Sequence, residues 1–337
     1  MGETFWATPD KIHKFKEVRA DGNYFHDLFL FYQNLLTANP DLPYKNPIVP
    51  LLLTATRGIE AFLEKGLDEG IVQFRYEAPR EFEFWDQLDP VVYTGSKIAL
   101  KTRRRGKPVT VFKGEVRQLD HWDFPPEERY LSGHSDEWVL QLGLVNGARL
   151  TKEQVLITEG SSHHKFLEIT ETEDRGMIHP GFLLSGFVPA LTYELGELGL
   201  DYLHNPATFR RHNVTFNLDG LTELYAQAKD SEHGVLASSY LFPIKEDIID
   251  LGYNRLCLGY VAPFAIFSEN GTPLTRGTFE LLALNDLIAL SKESARKKED
   301  AIMKIPRNMQ TFAHGLYHVR EGFVNRLYRA IEKQGKL

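Results

Sequence analysis

Two short patterns in the chain contain residue types that bind iron or zinc. They are the His-x-Asp pairs His121–Asp123 and His134–Asp136. Residues two apart on an extended strand point to the same side, so each pair could place an imidazole and a carboxylate on one metal ion. Non-haem iron oxygenases bind their metal through two histidines and one carboxylate. The alternative is that both pairs are polar turn residues next to strands.

A third candidate site lies near the C-terminus, in a segment with helical spacing. His314, His318 and Glu321 occupy positions i, i+4 and i+7, so all three project from one face of a helix. Such a stripe can supply ligands to zinc or to a di-iron centre. Together with the His-x-Asp pairs it predicts an Fe(II) or Zn enzyme, with an oxygenase as the first choice. The alternative is a polar stripe on a packed helix.

The same helix carries a pattern that favours a different enzyme. Arg307 and Asn308 are followed by His314, seven positions after the arginine. Seven residues are close to two helical turns, so Arg307 and His314 share a face. Histidine can act as the acid or base in RNA cleavage near neutral pH, and arginine can stabilise the phosphorane.

This pattern resembles the R-x(4–6)-H motif of the HEPN family, which are helical-bundle proteins and include many ribonucleases of toxin and antiphage systems. The resemblance implies a metal-independent ribonuclease without a cofactor. Arg307 would bind the phosphate and His314 would act as acid or base. Asn308 would be the polar residue that orients the reacting groups. It also implies RNA as the partner and a homodimer whose two motifs form one composite site.

The composition excludes several other classes. The formal net charge of −7 argues against a surface built as a whole to attract nucleic acid or anionic membranes. Cys257 is the single cysteine, which excludes an intramolecular disulfide and a multi-cysteine metal site. The N-terminal region lacks the apolar stretch of a secretory signal, and no apolar run reaches the length of a membrane span. The sequence therefore predicts a cytoplasmic protein that does not enter a membrane.

The elements that would position these groups fall into three stretches. Apolar residues recur at three-and-four spacing from Asn23 to Leu67, which predicts helices. From Ile71 to about Ile169 the period changes to two, which predicts strands separated by turns. Helical spacing returns beyond Met177, most clearly in Thr278–Lys298 and Arg307–Lys333. A short extended pair, Val235–Leu241 and Leu256–Phe267, interrupts this last part.

We therefore expect an α+β fold, in which N- and C-terminal segments form a helical body that carries an inserted β-rich region. The predicted parts are an N-terminal helical part (1–70), a β-rich middle region (71–176) and a mostly helical C-terminal part (177–337) that packs with residues 1–70. The first functional hypothesis is a toxin or defence ribonuclease. The second is a metal-dependent oxygenase, and the third is a noncatalytic binding protein.

Overall fold

The computed structural model describes most of the sheet-forming part of the chain. The described residues are 5–19, 26–27, 47, 49–79, 82–89, 92–104, 107–133, 140–143, 162–186, 207–230, 237–250 and 256–283.

Helices and strands alternate unevenly along these residues. The helices are α1 (Pro9–Arg19), α2 (Leu51–Leu63), α3 (Glu127–Ser132), α4 (Ser162–Thr170), α5 (residues 180–186) and α6 (Leu218–Asp230). The strands are β1 (Phe5–Trp6), β2 (Ile71–Glu77), β3 (Gln87–Leu88), β4 (Val92–Thr94), β5 (Lys97–Arg104), β6 (Lys107–Leu119), β7 (Leu140–Gly143), β8 (Ala207–Asn217), β9 (Ala237–Leu241), β10 (Lys245–Asp250), β11 (Leu256–Ser268) and β12 (Pro273–Ala283).

All of these strands join one antiparallel sheet of 12 strands. The order across the sheet is β1-β3-β5-β6-β2-β8-β12-β11-β9-β7, with β4 paired to β5 and β10 paired to β11. The central strands β2 and β8 pair along their length, from Ile71 opposite Asn217 to Glu77 opposite Arg211. A continuous ladder through the centre means that both ends of the described chain belong to one sheet.

The order of the strands has an internal twofold symmetry. Each strand from β1 to β6 has a counterpart six strands later in the chain, at the equivalent distance from the β2–β8 junction. Even the side strands correspond, because β4 pairs with β5 as β10 pairs with β11. The sheet is therefore built from a first half (β1–β6) and a second half (β7–β12), and each half places its first strand at an edge and its second strand at the centre.

The inner face of the first half packs on α2, which is buried on almost every side. A helix that is apolar all round is expected in a core rather than at a surface. Strand β2 alternates, with Phe74 and Tyr76 inward and Arg75 outward. Gly58 of α2 permits close contact, since a Cβ there would lie 2.8 Å from the ring of Phe112 on β6.

The predicted fold class is wrong. A helical body with an inserted β region does not describe the chain, because β8 to β12 occupy the part that was expected to be mostly helical. Thr278–Ala283 was predicted as the start of a helix, and it forms the end of β12. Phe279 with Leu282 fits helical spacing, whereas Phe279 with Leu281 fits strand alternation, and pairing with β8 and β11 decides for the strand.

Other elements agree with their predictions. The helix Leu51–Leu63, the strands β2, β5 and β6, and the extended pair β9 and β11 lie where the spacing indicated them. The predicted helix Arg307–Lys333 lies outside the described residues. The division of the chain at residues 70 and 176 stays a prediction. No helix in the described part is long and apolar enough to cross a membrane.

Candidate functional site

Most of the predicted site residues lie outside the described part of the chain. These are Arg307, Asn308, His314, His318, Glu321, His134 and Asp136. Their assignment as site residues stays a prediction.

The remaining predicted ligands, His121 and Asp123, do not lie on a strand. They follow the end of β6 in an irregular segment, and both side chains are exposed. The residues between and after them, Trp122 and Phe124, stack with ring centroids 4.9 Å apart and anchor the segment. Within the described ranges, no group of three His, Cys, Asp or Glu side chains is arranged to hold a metal ion.

The structure instead brings together a charged cluster that sequence reasoning missed. Glu60 of α2, Arg175 and His179 converge beneath the sheet, with Glu60 and His179 almost fully buried. Arg175 donates from Nη2 to Oε1 of Glu60 over 2.7 Å. The second carboxylate oxygen, Oε2, lies 3.5 Å from Nε2 of His179. A carboxylate, an imidazole and a guanidinium therefore meet in one buried place.

His179 is held at the start of α5 by hydrogen bonds of its ring and of its own backbone. Its carbonyl accepts the N–H of Leu183, which makes it the cap of the helix. Its Nδ1 accepts the backbone N–H of Gly181 over 3.0 Å, so Nε2 carries the proton in the neutral ring. Its own N–H donates to Nε2 of His163 on α4 over 3.1 Å. The Nε2–H of His179 therefore points towards the carboxylate side of the cluster.

Burial and pairing fix the charge states in this cluster. Burial lowers the pKa of His179 and outweighs the attraction of Glu60, so the ring is neutral near pH 7. Burial alone would raise the pKa of Glu60, but hydrogen bonds from His179 and Arg175 more than offset it and lower the pKa of that carboxyl. Glu60 is therefore an anion held between a neutral imidazole and a guanidinium.

A second carboxylate lies in the loop that leads into α5. Asp174 precedes His179 by five residues, and its Oδ1 accepts the N–H of Gly176 over 2.8 Å. Its Oδ2 accepts the hydroxyl proton of Tyr225 on α6 over 3.1 Å. Burial, then the charge of Asp174, raises the pKa of Tyr225 to about 12, so the phenol remains a donor. Asp174 is half-buried and immediately precedes Arg175 of the cluster in the chain.

The cluster occurs in only one of the two halves of the described structure. In the first half, Val49 and Pro50 lead into α2, whereas His179 and Pro180 lead into α5 in the second half. The position that corresponds to His179 is therefore apolar in the first half. The first half contributes Glu60 from its helix instead, so the site combines one group from the first half with two, Arg175 and His179, from the second.

The sequence did contain a signal for this site. Glu60 is a charged residue on the buried side of α2, and a buried charge requires a partner. Nothing in the local pattern identifies Arg175 or His179 as that partner, because they are more than a hundred residues away along the chain.

A second buried polar pair lies at the junction between the two halves. Tyr76 of β2 and His212 of β8 are opposite in register, and Oη of Tyr76 lies 2.5 Å from Nδ1 of His212. Both side chains are fully buried, and burial raises the pKa of Tyr76 and lowers that of His212 to about 3. No described residue makes a hydrogen bond to Nε2 of His212.

Comparison with known proteins gives structural neighbours but no sequence relatives. No protein-family model matches the chain, and no curated protein matches it. A solved structure described as a MaoC-like dehydratase is similar over 84% of this chain and 96% of its own, with 10% identity and a TM-score of 0.47. A putative MaoC-domain dehydratase from Chloroflexus aurantiacus covers 84% and 95%, with 8% identity and a TM-score of 0.46. A Mycobacterium tuberculosis protein described as having a double hotdog fold covers 84% and 96%, with 11% identity and a TM-score of 0.43.

The resemblance to HEPN proteins is wrong, and so are the two enzyme classes that were predicted. HEPN proteins are helical bundles, whereas the described chain is a 12-stranded sheet. The ribonuclease hypothesis, with its toxin or defence role and its RNA partner, depended on that bundle. The oxygenase alternative required ligands on one face of a strand, and His121 and Asp123 lie in an exposed irregular segment. The homodimer and the cytoplasmic location stay predictions.

Proposed function

We propose that the chain is an acid–base enzyme of the hydro-lyase type, which adds water to, or removes water from, the carbon β to a carbonyl group. One observation carries the proposal. Oε2 of Glu60 and Nε2 of His179 are buried and face each other over a long contact of 3.5 Å, and the buried Nε of Arg175 has no hydrogen-bond partner among the described residues. Buried polar groups are normally fully satisfied, so this loosely paired cluster of a carboxylate, an imidazole N–H and a guanidinium N–H supports a place where a polar ligand binds.

His179, Arg175 and a carboxylate of the same region supply what the loss of water from a β-hydroxy carbonyl compound requires. A carboxylate can accept the proton on the α-carbon, which the neighbouring carbonyl makes acidic. The Nε2–H of His179 can donate a hydrogen bond to the β-hydroxyl as the carbon–oxygen bond breaks. The Nε–H of Arg175 can donate to the carbonyl oxygen, which gains negative charge as the α-proton leaves.

The protons balance without any change in the protein. The carboxylate takes the α-proton, the carbon–carbon double bond forms, and the same proton passes to the departing hydroxyl to give water. His179 keeps its Nε2 proton throughout because its Nδ1 accepts the N–H of Gly181. The reverse sequence adds water to the double bond.

Two carboxylates can serve as the proton acceptor. Glu60 is 3.5 Å from His179, but its lowered pKa makes it a weak base. Asp174 is half-buried, and its carboxylate accepts the hydroxyl proton of Tyr225. We assign the more accessible Asp174 as the proton acceptor and Glu60, which contacts His179, as the residue that positions that ring.

Two of the structural neighbours are described as dehydratases. The proposal for this chain rests on the Glu60–Arg175–His179 cluster and not on those names.

The test is hydration of a short trans-2-enoyl thioester. The reaction is monitored as the decrease in absorbance of the conjugated double bond. The wild type is compared with His179→Asn, Asp174→Asn and Glu60→Gln, which keep the size of each side chain. We expect His179→Asn and Asp174→Asn to lower kcat by at least about 100-fold, since general acid–base groups contribute factors of this size. Glu60→Gln should have a smaller effect. Hydration by the wild type that survives in all three variants would overturn the proposal.

A further inference from the structure

The outer face of the first half of the sheet carries an open groove of about 650 Å³. It crosses β5, β6, β2 and β8 at the centre of the sheet, on the face opposite α2. Arg75 lies on this face because it alternates with the inward Phe74 and Tyr76. Five basic side chains and two carboxylates line the groove, namely Arg75, Lys97, Lys101, Lys113, Arg211, Glu77 and Glu115.

The cations of the groove are not all neutralised by neighbours. Arg211 pairs with Glu77 over 3.2 Å, and Lys97 faces Glu115 across the β5–β6 ladder. Lys113 lies opposite Glu77 across the β2–β6 ladder, but Glu77 already pairs with Arg211. Lys101 lies opposite Thr110 and has no carboxylate across the ladder.

Two other basic residues of β5, the strand that carries Lys101, form ion pairs. Arg103 lies 3.0 Å from Asp89, and Arg104 lies 2.8 Å from Asp86. The chain as a whole has a net charge of −7, so the excess of positive charge in the groove is local and opposite in sign to the rest of the protein.

The internal symmetry shows that this face can be covered, and in the second half it is. Ala265 of β11 lies opposite Arg276 of β12, on the same face of the sheet as the groove. There the segment after β6 packs down through Phe124, whose ring stacks on Phe267 at 5.5 Å, and Arg276 lies 4.8 Å from the same ring. The equivalent face of the first half is open and basic instead.

We propose that this open groove binds a small molecule that carries two or more phosphate groups. Clustered lysine and arginine side chains bind phosphate through charge-assisted hydrogen bonds. The groove has the volume of a small-molecule site rather than of an extended surface. A nucleic acid would also be attracted, but the net negative charge of the chain opposes binding of a long polyanion. The proposal is independent of the hydro-lyase site, which lies on the other side of the sheet.

The test is calorimetric titration of the full chain with inorganic pyrophosphate. The variant is Lys101→Gln/Lys113→Gln, which removes two charges from exposed or half-buried side chains on β5 and β6. The matched control is Lys65→Gln, an exposed lysine just after α2. We expect saturable binding by the wild type, a Kd raised at least about tenfold in the double variant, and less than about a twofold change in the control.

Three results would overturn the proposal. The first is absence of saturable binding by the wild type. The second is an equal Kd in the wild type and the double variant, which would indicate unspecific attraction of anions. The third is tighter binding of a single-stranded RNA oligonucleotide than of pyrophosphate, with a weaker RNA affinity in the double variant. That result would assign the groove to a polymer. Urea unfolding of each variant checks that the sheet is intact.

Discussion

The buried pair of Tyr76 and His212 at the junction of the two halves predicts a specific loss of stability in acid. The pKa of His212 is lowered from 6.5 to about 3 because burial disfavours the charged ring. The unfolded chain therefore binds a proton below pH 6.5, whereas the folded chain does not until the pH approaches 3. Stability from this residue is fully present above pH 6.5 and is lost as the pH falls between these values.

The magnitude follows from the size of the interval. A pH of 4.5 lies two units below the unfolded pKa of 6.5, and protonation of the histidine favours the unfolded chain by about 1.36 kcal/mol per unit. The free energy of unfolding therefore falls by about 2.7 kcal/mol. The double variant Tyr76→Phe/His212→Phe replaces the pair by apolar rings among Phe209 and Phe279, which already surround His212. Any packing cost of the larger ring is the same at both pH values and cancels in the comparison.

The assay is urea unfolding of the wild type and the double variant at pH 7.5 and pH 4.5. The wild type should lose about 2.7 kcal/mol more than the double variant between the two pH values. The single variant Tyr76→Phe should keep the full acid loss, because His212 remains buried, and should be less stable by about 1–3 kcal/mol at both pH values. Equal acid losses in the wild type and the double variant would refute the assigned burial of His212.

Three further predictions concern the packing of the site and the core. Gly181→Ala should lower kcat for enoyl hydration by at least about tenfold, since its Cβ would collide with a threonine hydroxyl of α2 and press on the ring of His179; unchanged kinetics would contradict the position of that ring. Arg175→Met should lower the free energy of unfolding by about 3–5 kcal/mol because it leaves the Glu60 carboxylate buried without its cation, and adding Glu60→Gln should recover most of that loss in urea unfolding. Gly58→Ala should destabilise the chain by about 1–3 kcal/mol, measured in the same way, because the new methyl group overlaps a phenylalanine ring of β6; a neutral effect would mean that α2 lies farther from the sheet.

Local sequence patterns identified the strands that have one buried and one exposed face and the helix that is buried. Strand β2 alternates between inward phenylalanine and outward arginine, and its period of two is visible in the sequence. Helix α2 was found because its apolar residues recur at three-and-four spacing.

The fold class was missed because topology is not encoded in local periodicity. The residues around His212 on β8 combine charged outward positions with an inward histidine, which gives no clear apolar alternation. Pairing with β2 and β12 makes this segment a central strand. The internal symmetry is a property of strand order, so no repeat in the sequence revealed it.

The candidate site was missed for a related reason. Glu60, Arg175 and His179 come from distant parts of the chain and meet only when α2 and α5 pack beneath the sheet. The motifs that drew attention instead, His-x-Asp and the Arg307–His314 spacing, are short enough to occur by composition.

The central claim is that the His179 cluster moves water on and off a carbon–carbon double bond. The most direct measurement is mass spectrometry of the product after incubation of a trans-2-enoyl thioester with the full chain in oxygen-18 water. The account predicts heavy oxygen on the β-carbon with the wild type and its loss with His179→Asn. An unlabelled product with the wild type, or equal labelling by both proteins, would contradict it.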